Sequence, residues 1–593
     1  MSSKTMAAVA VILIAVVAAI SAATILGDDP PDIPGPDGGT FPTDIPEEER
    51  RFHDPVASDG EFRTSLELMN KVLRSPDSGI DGMGDAITGT HHDLLVMEER
   101  YMWSEAFYYR EPAKYSEAFS PWFATVNSAF DDFNRSIKEA LTGDKGQKVE
   151  SALESVGMDA DSYREYDEMD PEQVSLLQRQ SELENEYATI MGTEYSVQWR
   201  GMTWTVQSVL DSDTLTSEEK GTVLNMIYAL QYTDAIEVYI ELVSVLNDFA
   251  GYYGYEDYAD YAYGNVYHRD YAPEDVAGIY DCVETNVEMT TTLNDLLFGE
   301  SDLFGSLGYI KDYGYEELYG SMETVADMLG TEYSDLLGYM DRNGLLMIEG
   351  IEGQISSCYT SELRAHHSAL MLMSDMGTHN QISAIHEFGH AANMCLSERS
   401  NICFDVCEIN SQGLECLSLH LLDELAPEAP DAYATMVIGN LSYQVVLGSM
   451  LTEFELWAFE TEASGTELTV DSLMGKFESI TDGWGYSISN GVIDDGYIWA
   501  DVGHLFYSPM YYISYSTSAL NSMEIMLAAE EDFEKAKGMY LATMEQDGRN
   551  GYVETVRNAG LSNVLVDGNA LRISAEMSEW VKENYGDPAS AHA

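Results

Sequence analysis

Basic residues are scarce in this chain of 593 residues. Its 29 lysines and arginines stand against 103 aspartates and glutamates, which gives a formal net charge of −74. A surface this acidic repels phosphate groups, so nucleic acids and anionic membranes are poor partners for it. The charge instead suits a protein that works in salty or extracellular surroundings.

Other patterns are also missing. No C-x-x-C pair occurs among the six cysteines, so a zinc ribbon is not supported. No internal repeat is present. Alternating β-branched runs are rare, and Tyr195–Val206 is the best candidate for a short hairpin. Hydrophobic residues make up 45% of the chain, enough for a large core, which excludes wholesale disorder.

The N-terminus has the pattern of a targeting signal. Lys4 precedes an uncharged apolar run from Met6 to Leu26, and acidic residues follow it. About 20 helical residues cross a bilayer core, and the charge bias directs the rest of the chain outward. Residues 1–26 are therefore predicted to be a signal anchor, or a signal peptide cleaved near Ala23. The Pro-, Gly- and acid-rich residues 27–50 are predicted to be an extended linker.

An exported protein with six cysteines can form disulfides. We expect at least one bridge among the four cysteines that cluster in the sequence, which are Cys395, Cys403, Cys407 and Cys416.

The rest of the chain is predicted to be mostly α-helical. From Glu61 to Gly350 apolar residues recur three or four apart with acids between them. We predict a mainly helical N-terminal lobe over residues 51–350 and a second region over residues 351–590, which holds the candidate site residues described next. The tyrosine-rich stretch Tyr252–Asp275 is interpreted as core packing rather than a surface on which a substrate stacks.

The segment "HEFGHAANMC" holds the first candidate site residues. His386 and His390 are four residues apart, so both imidazoles leave the same face of a helix and can bind one zinc ion. Glu387 then lies beside the metal, where it can take a proton from a zinc-bound water. The alternative is a pair of histidines that are hydrogen-bonded within a helical core.

A second amphipathic helix follows in "FDVCEINSQGLECLSLHLL". Glu408 on this helix is assigned as the third metal ligand, which leaves a fourth position for water. Glu415 lies two turns further along the same face. We interpret it as a partner that orients a ligand histidine, with an ordinary buried acid as the alternative.

These two segments resemble the thimet oligopeptidase and oligoendopeptidase F family of zinc metallopeptidases, and oligoendopeptidase F more closely. The family's zinc helix reads H-E-[FL]-G-H, and its second helix reads E-x-x-S-x-x-x-E, which Glu408, Ser411 and Glu415 match. The resemblance covers about Glu61 to Tyr585. It implies a mostly α, two-lobed fold with a deep substrate channel, a small β-sheet beside the zinc helix and one Zn²⁺ per chain.

Residues 353–390 resemble the family segment that precedes the zinc helix, although Ser357 and Cys358 stand where Gly and Ala are usual. The resemblance implies that a strand over about residues 369–376 offers its edge to the backbone of the substrate. Met373, Ser374 and Gly377 are therefore predicted to bind substrate.

Residues 504–525 resemble the family's H-x-F-Y-x-P-F-Y-x-Y-x-Y-A-T segment. The resemblance implies that His504 and Tyr515 stabilise the oxyanion that forms on the substrate carbonyl. Tyr511 and Tyr512 remain alternatives: Tyr511 is predicted to be catalytic and Tyr512 to bind substrate.

The resemblance implies an exported, zinc-dependent oligoendopeptidase that hydrolyses internal bonds of short unfolded peptides. Zinc-bound water would be the nucleophile and Glu387 the general base. We expect a monomer at the cell surface, either membrane-anchored or secreted. One alternative is a peptidyl-dipeptidase or carboxypeptidase on the same fold. Another is an inactive surface protein that only binds peptides.

Overall fold

The computed structural model describes residues 59–111, 114–115, 122–166, 170–298, 313–351, 354, 357–374, 380–397, 402–488 and 493–585. The predicted signal segment and linker (residues 1–50) and Gly377 lie outside this part of the chain. The described residues form two compact units. Unit A contains those of Pro171–Asp312 and Asn401–Ala593, and unit B contains those of Ala18–Asp170 and Tyr313–Ser400.

The fold is mostly α, as predicted. The helices of unit B are α1 Gly60–Arg74, α2 Ile80–Arg110, α3 Trp122–Thr142, α4 Gly146–Ser155, α5 Ala160–Glu165, α12 Tyr315–Leu329, α13 Thr331–Arg342 and α14 Asn380–Leu396. Its strands are β3 Leu346–Met347, β4 Ser357–Leu363 and β5 Ser368–Ser374.

Unit A has more helices and one hairpin. The first part holds α6 Pro171–Gly192, β1 Ser196–Trp199, β2 Met202–Thr205, α7 Val206–Leu210, α8 Ser217–Tyr252, α9 Tyr258–Asn265, α10 Ala277–Tyr280 and α11 Val283–Phe298. The second holds α15 Phe404–Ser418, α16 Leu422–Leu425, α17 Pro430–Ala463, α18 Val470–Trp484, α19 Asp495–Ile498, α20 His504–Tyr507, α21 Ile513–Glu531, α22 Phe533–Met544, α23 Tyr552–Ala559 and α24 Asn569–Tyr585.

The predicted hairpin is confirmed. Strands β1 and β2 pair antiparallel, with Val197 opposite Trp204. The two residues between them, Arg200 and Gly201, both have positive φ (51° and 80°). Two such residues in a two-residue loop form a type I′ turn, whose twist matches that of the flanking strands.

The sheet of unit B positions helix α14. Its strand order is β3-β5-β4, with β4 antiparallel and β3 parallel to β5. Successive strand residues point to opposite faces of a sheet. Tyr359 on β4 therefore meets Tyr109 of α2, with ring centroids 5.8 Å apart, while Thr360 contacts Glu387 of α14 on the other face.

Helix α17 is the core of unit A. It packs against α8, α11, α15, α18 and α21. By length and composition it is the one helix of the described chain that could cross a membrane, but 83% of its most apolar stretch is buried inside the protein. Gly448 lets α17 approach the start of α21, because a Cβ at this position would lie 2.7 Å from the carbonyl oxygen of Tyr512.

Two expectations need correction. No disulfide joins the six cysteines, all of which lie in the described part of the chain, so the predicted bridge is wrong. Five of the six are buried in helix and strand packing, where they act as small apolar side chains. In the tyrosine-rich stretch, Tyr258, Tyr263 and Tyr267 are buried in the core as predicted, but Tyr252, Tyr253 and Tyr255 are exposed.

Candidate metal and catalytic site

Helix α14 carries the first three site residues on one turn. The rings of His386 and His390 lie one above the other, with centroids 5.0 Å apart and planes at 78°. Apolar neighbours such as Ile385 and Phe388 are fully buried and fix the helix in place. His390 is 9% exposed, and burial lowers its pKa to about 4. Its imidazole is therefore neutral at physiological pH, which is the form that binds metals.

Glu387 is held by a residue that the sequence did not reveal. Its side chain is 2% exposed, and the hydroxyl of Thr360 donates a hydrogen bond to its Oε2 over 2.7 Å. Thr360 is itself buried on strand β4. A donor on one carboxylate oxygen fixes the rotamer of Glu387, and the remaining lone pairs of the carboxylate can accept another proton.

Both oxygens of Glu408 also have donors. Glu408 lies on α15, a helix that is buried on nearly every side, and is 0% exposed. The hydroxyl of Ser411 donates to Oε2 over 3.0 Å, and that of Tyr511 donates to Oε1. Each oxygen has a second lone pair, so both bonds are compatible with metal binding. Tyr511 therefore orients Glu408, a role that sequence reasoning did not give it.

His386, His390 and Glu408 form a group that could hold a metal ion. One ligand atom of each lies within 4.8 Å of the other two. Two neutral imidazoles and one carboxylate are the donor set of catalytic zinc sites, which keep a fourth position open. The residues present thus fit the predicted Zn²⁺.

Glu415 lies further along α15 and is 2% exposed. The hydroxyl of Ser418 donates to its main-chain oxygen over 2.6 Å. Its expected role as the partner of a ligand histidine stays a prediction.

A cluster of rings surrounds His504 at the start of α20. The rings of Tyr511, Tyr512 and Tyr515 have centroids 5.5, 5.1 and 5.9 Å from that of His504. The Tyr515 hydroxyl lies 3.5 Å from His504 Nε2. His504 is buried, which lowers its pKa to about 3 and keeps the ring neutral. Within the described chain, His504 Nδ1 and the Tyr512 hydroxyl are buried without a hydrogen-bond partner.

The predicted substrate strand needs a correction. Strand β5 is central in its sheet: β3 pairs with Met371 and Leu372 on one side, and β4 pairs with the whole strand on the other. The expected free edge is therefore wrong at Met371 and Leu372. Met373 and Ser374 extend past β3 and, within the described chain, pair with β4 alone. Their role in substrate binding stays a prediction.

A buried ion pair at the start of α15 was also missed. Arg269 Nε lies 2.9 Å from Asp405 Oδ2, and neither side chain is exposed. The sequence shows Arg269 within the tyrosine-rich stretch, but nothing in that stretch indicates a partner 136 residues away. A basic residue within a run predicted to be buried was the one available signal.

The fold and the site together define one class of protein. It is mostly α, with an H-E-x-x-H helix packed on a small sheet and a second helix that carries a buried glutamate. No family model matches the chain, and no curated protein matches its sequence. Solved structures do match. PZ peptidase A with an inhibitor has a TM-score of 0.67 at 17% identity, over 90% of this chain and 99% of that one.

Two proteins provisionally assigned as oligoendopeptidase F match as well. One gives a TM-score of 0.64 at 17% identity, covering 90% of this chain and 98% of the other. The second, from Bacillus anthracis strain Ames, gives 0.62 at 16% identity, covering 92% and 99%. The chain therefore has the fold of oligoendopeptidase F and related peptidases, as the sequence resemblance implied.

Proposed function

We propose that this protein is a zinc-dependent oligoendopeptidase that hydrolyses internal bonds of short, unfolded peptides. The observation that carries the proposal is the grouping of His386, His390 and Glu408, with Glu387 next to the first histidine, on an oligoendopeptidase fold. An inactive protein that only binds peptides does not require a general base such as Glu387.

The three ligands would hold one Zn²⁺ per chain. When bound, zinc supplies Lewis-acid chemistry: it polarises the substrate carbonyl and lowers the pKa of water towards neutrality. A closed structural site is disfavoured because such sites have four protein ligands.

Glu387 acts as the proton carrier. Its carboxylate takes the proton of the attacking water and passes it to the leaving amine. Thr360 donates to Oε2 and so fixes the rotamer in which the carboxylate takes this proton. Because the side chain is 2% exposed, bulk water does not compete for it.

His504 and the tyrosines supply donors for the substrate oxygen. A neutral His504 carries one N–H, and Tyr515 lies close to its Nε2. The hydroxyls of Tyr512 and Tyr515 and the His504 N–H are therefore the candidates that stabilise the charge on the carbonyl oxygen. Tyr511 is assigned instead to Glu408, which its hydroxyl contacts.

The proposal includes an extracytoplasmic location for the main body of the chain. It rests on the apolar run 6–26 and the acidic linker behind it. Fractionation of cells that express the full chain, followed by N-terminal sequencing, tests this. An intact N-terminus in the membrane fraction indicates the anchor, and a start near Thr24 indicates cleavage. A full chain in the cytoplasm contradicts export.

One experiment tests the activity. The chain from about Pro30 is incubated with a pool of peptides of about 8–13 residues, with and without a zinc chelator, and the products are weighed by mass spectrometry. Internal cleavage that the chelator abolishes is expected. Products shortened by one or two residues would indicate an exopeptidase instead. Peptides that are bound but stay intact would indicate the peptide-binding alternative.

The Glu387→Gln variant sharpens the same test. The amide cannot take a proton, so turnover should fall by about 10²-fold or more while the zinc content stays the same. Wild-type rates of cleavage by this variant would rule out the mechanism.

A further inference from the structure

The turn that precedes α21 has its backbone held by buried side chains. The Tyr267 hydroxyl donates to the carbonyl oxygen of Pro509 over 2.6 Å. The N–H of Met510 donates to Glu455 Oε1 over 2.9 Å, and Arg269 Nη1 donates to the carbonyl oxygen of Met510 over 3.0 Å. Three side chains, two from the segment after α9 and one from α17, thus fix one short turn.

The turn needs this support because its backbone is strained. Met510 has φ of +72°, a left-handed conformation that side-chain-bearing residues rarely adopt. Such residues persist where the surroundings over-determine them, and they concentrate at functional sites.

Arg269 is itself anchored to the helix that carries Glu408. Its guanidinium pairs with Asp405 on α15 and lies over the ring of Tyr263, 4.4 Å from the centroid. Asp405 also accepts hydrogen bonds from three hydroxyls, which belong to Tyr271, Ser514 and Thr517. A buried pair with this many partners holds a fixed geometry.

Glu455 holds the same turn from helix α17. It is 1% exposed, and burial raises its pKa to about 8. Its Oε2 has no hydrogen-bond partner within the described residues. Met510 N–H is therefore the contact that explains why an acid stands in this core helix.

The residue after Met510 reaches the candidate metal ligand. Tyr511 donates its hydroxyl to Glu408 Oε1, and its main-chain oxygen lies 3.4 Å from Arg269 Nη2. The backbone that Glu455 and Arg269 hold is thus the backbone that aims this hydroxyl.

We propose that Glu455 is a positioning residue: it acts through the Met510–Tyr511 backbone, which Arg269 also holds, to place the Tyr511 hydroxyl on Glu408. The proposal deepens the proposed function and rests on it in one respect, that Glu408 binds the metal. Outer-shell hydrogen bonds of this kind commonly change metal affinity by about 10–100-fold.

A double-mutant cycle on zinc affinity tests this. Glu455→Leu and Tyr511→Phe are each expected to weaken zinc binding about tenfold, measured by competition with a chelating dye. The double variant should be no weaker than Tyr511→Phe alone, because Glu455 acts only through that hydroxyl. Glu455→Gln should bind like the wild type, since its amide oxygen still accepts from Met510.

Two further variants complete the test. If Glu455→Leu fails to fold, Tyr267→Phe takes its place. This variant removes the hydroxyl that bonds to the Pro509 carbonyl oxygen in the same turn and keeps the ring that packs there. Tyr552→Phe, which removes a buried hydroxyl bonded to Asn521, is the matched control and should leave zinc affinity unchanged.

Additive losses in the cycle would overturn the positioning role and leave the proposed function intact. A wild-type chain that binds no zinc would overturn both. Zinc binding without peptide cleavage would overturn the proposed activity alone, because the cycle does not depend on turnover.

Discussion

The hydroxyl of Thr360 donates to the Glu387 carboxylate over 2.7 Å, and it also lies 3.1 Å from the main-chain oxygen of Glu387. One side chain of strand β4 thus binds both the backbone and the carboxylate of the proposed general base. Because both residues are buried, water does not replace this donor when it is removed.

Thr360→Val should therefore lower turnover by about tenfold, part of the 10²–10⁴-fold that a general base contributes. Valine has the shape of threonine, so the packing of β4 on α14 should persist. The effect should fall on kcat rather than KM, and zinc content should not change. Thr360→Ser keeps the hydroxyl and is expected to retain most of the activity. Equal losses in both variants would show that packing, not the hydrogen bond, matters here.

Removal of Glu408 should empty the metal site. Glu408→Ala leaves two imidazoles, which are too few ligands for tight zinc binding. Metal analysis after dialysis should find the variant depleted of zinc, whereas Glu424→Ala, which removes an exposed acid from the nearby α16, should keep its metal. Full zinc occupancy in Glu408→Ala would remove this residue from the ligand set.

Two of the tyrosines near His504 should have different roles. Tyr515→Phe is expected to lower kcat by about 10²-fold with little change in zinc affinity, because its hydroxyl is a candidate donor to the substrate oxygen. Tyr511→Phe should instead weaken zinc binding, since its hydroxyl contacts Glu408. Steady-state kinetics and chelator competition on both variants measure the two effects. The reverse pattern would exchange their roles.

Local spacing made part of the site predictable. His386 and His390 are four residues apart, and the helix that this spacing requires is α14. The helix that carries Glu408 was predicted in the same way, from apolar periodicity. Contacts between segments that are distant along the chain have no comparable signal in the sequence. Thr360 is 27 residues from Glu387, and Arg269 is 136 residues from Asp405.

The sheet shows another limit of sequence reasoning. Strand β3 has two residues, Leu346 and Met347, too few for a period of two to appear. Without it β5 would be an edge strand, which is what the sequence resemblance implied. The three tyrosine positions 511, 512 and 515 after His504 also left the register open, and the hydrogen bond from Tyr511 to Glu408 distinguishes one of them.

A second buried acid gives a prediction that does not involve the metal. Glu105 on α2 is 0% exposed, and neither of its side-chain oxygens has a partner within the described chain. Burial raises its pKa from 4.5 to about 8. Between these two values the folded protein holds a proton that the unfolded chain releases. The contribution of Glu105 to stability is therefore complete below about pH 4.5 and is lost as the pH rises to about 8.

Glu105→Gln cannot lose a proton, so it should not share this loss. Its free energy of unfolding relative to the wild type, from urea titrations, should rise between pH 5 and pH 9 by an amount on the order of a few kcal/mol. Asp85→Asn, an exposed change on the same helix, should show no such trend. The contributions of other buried acids, such as Glu455, to the pH dependence are the same in both proteins and cancel in this difference. Parallel pH profiles for wild type and Glu105→Gln would mean that Glu105 finds water or a partner in solution.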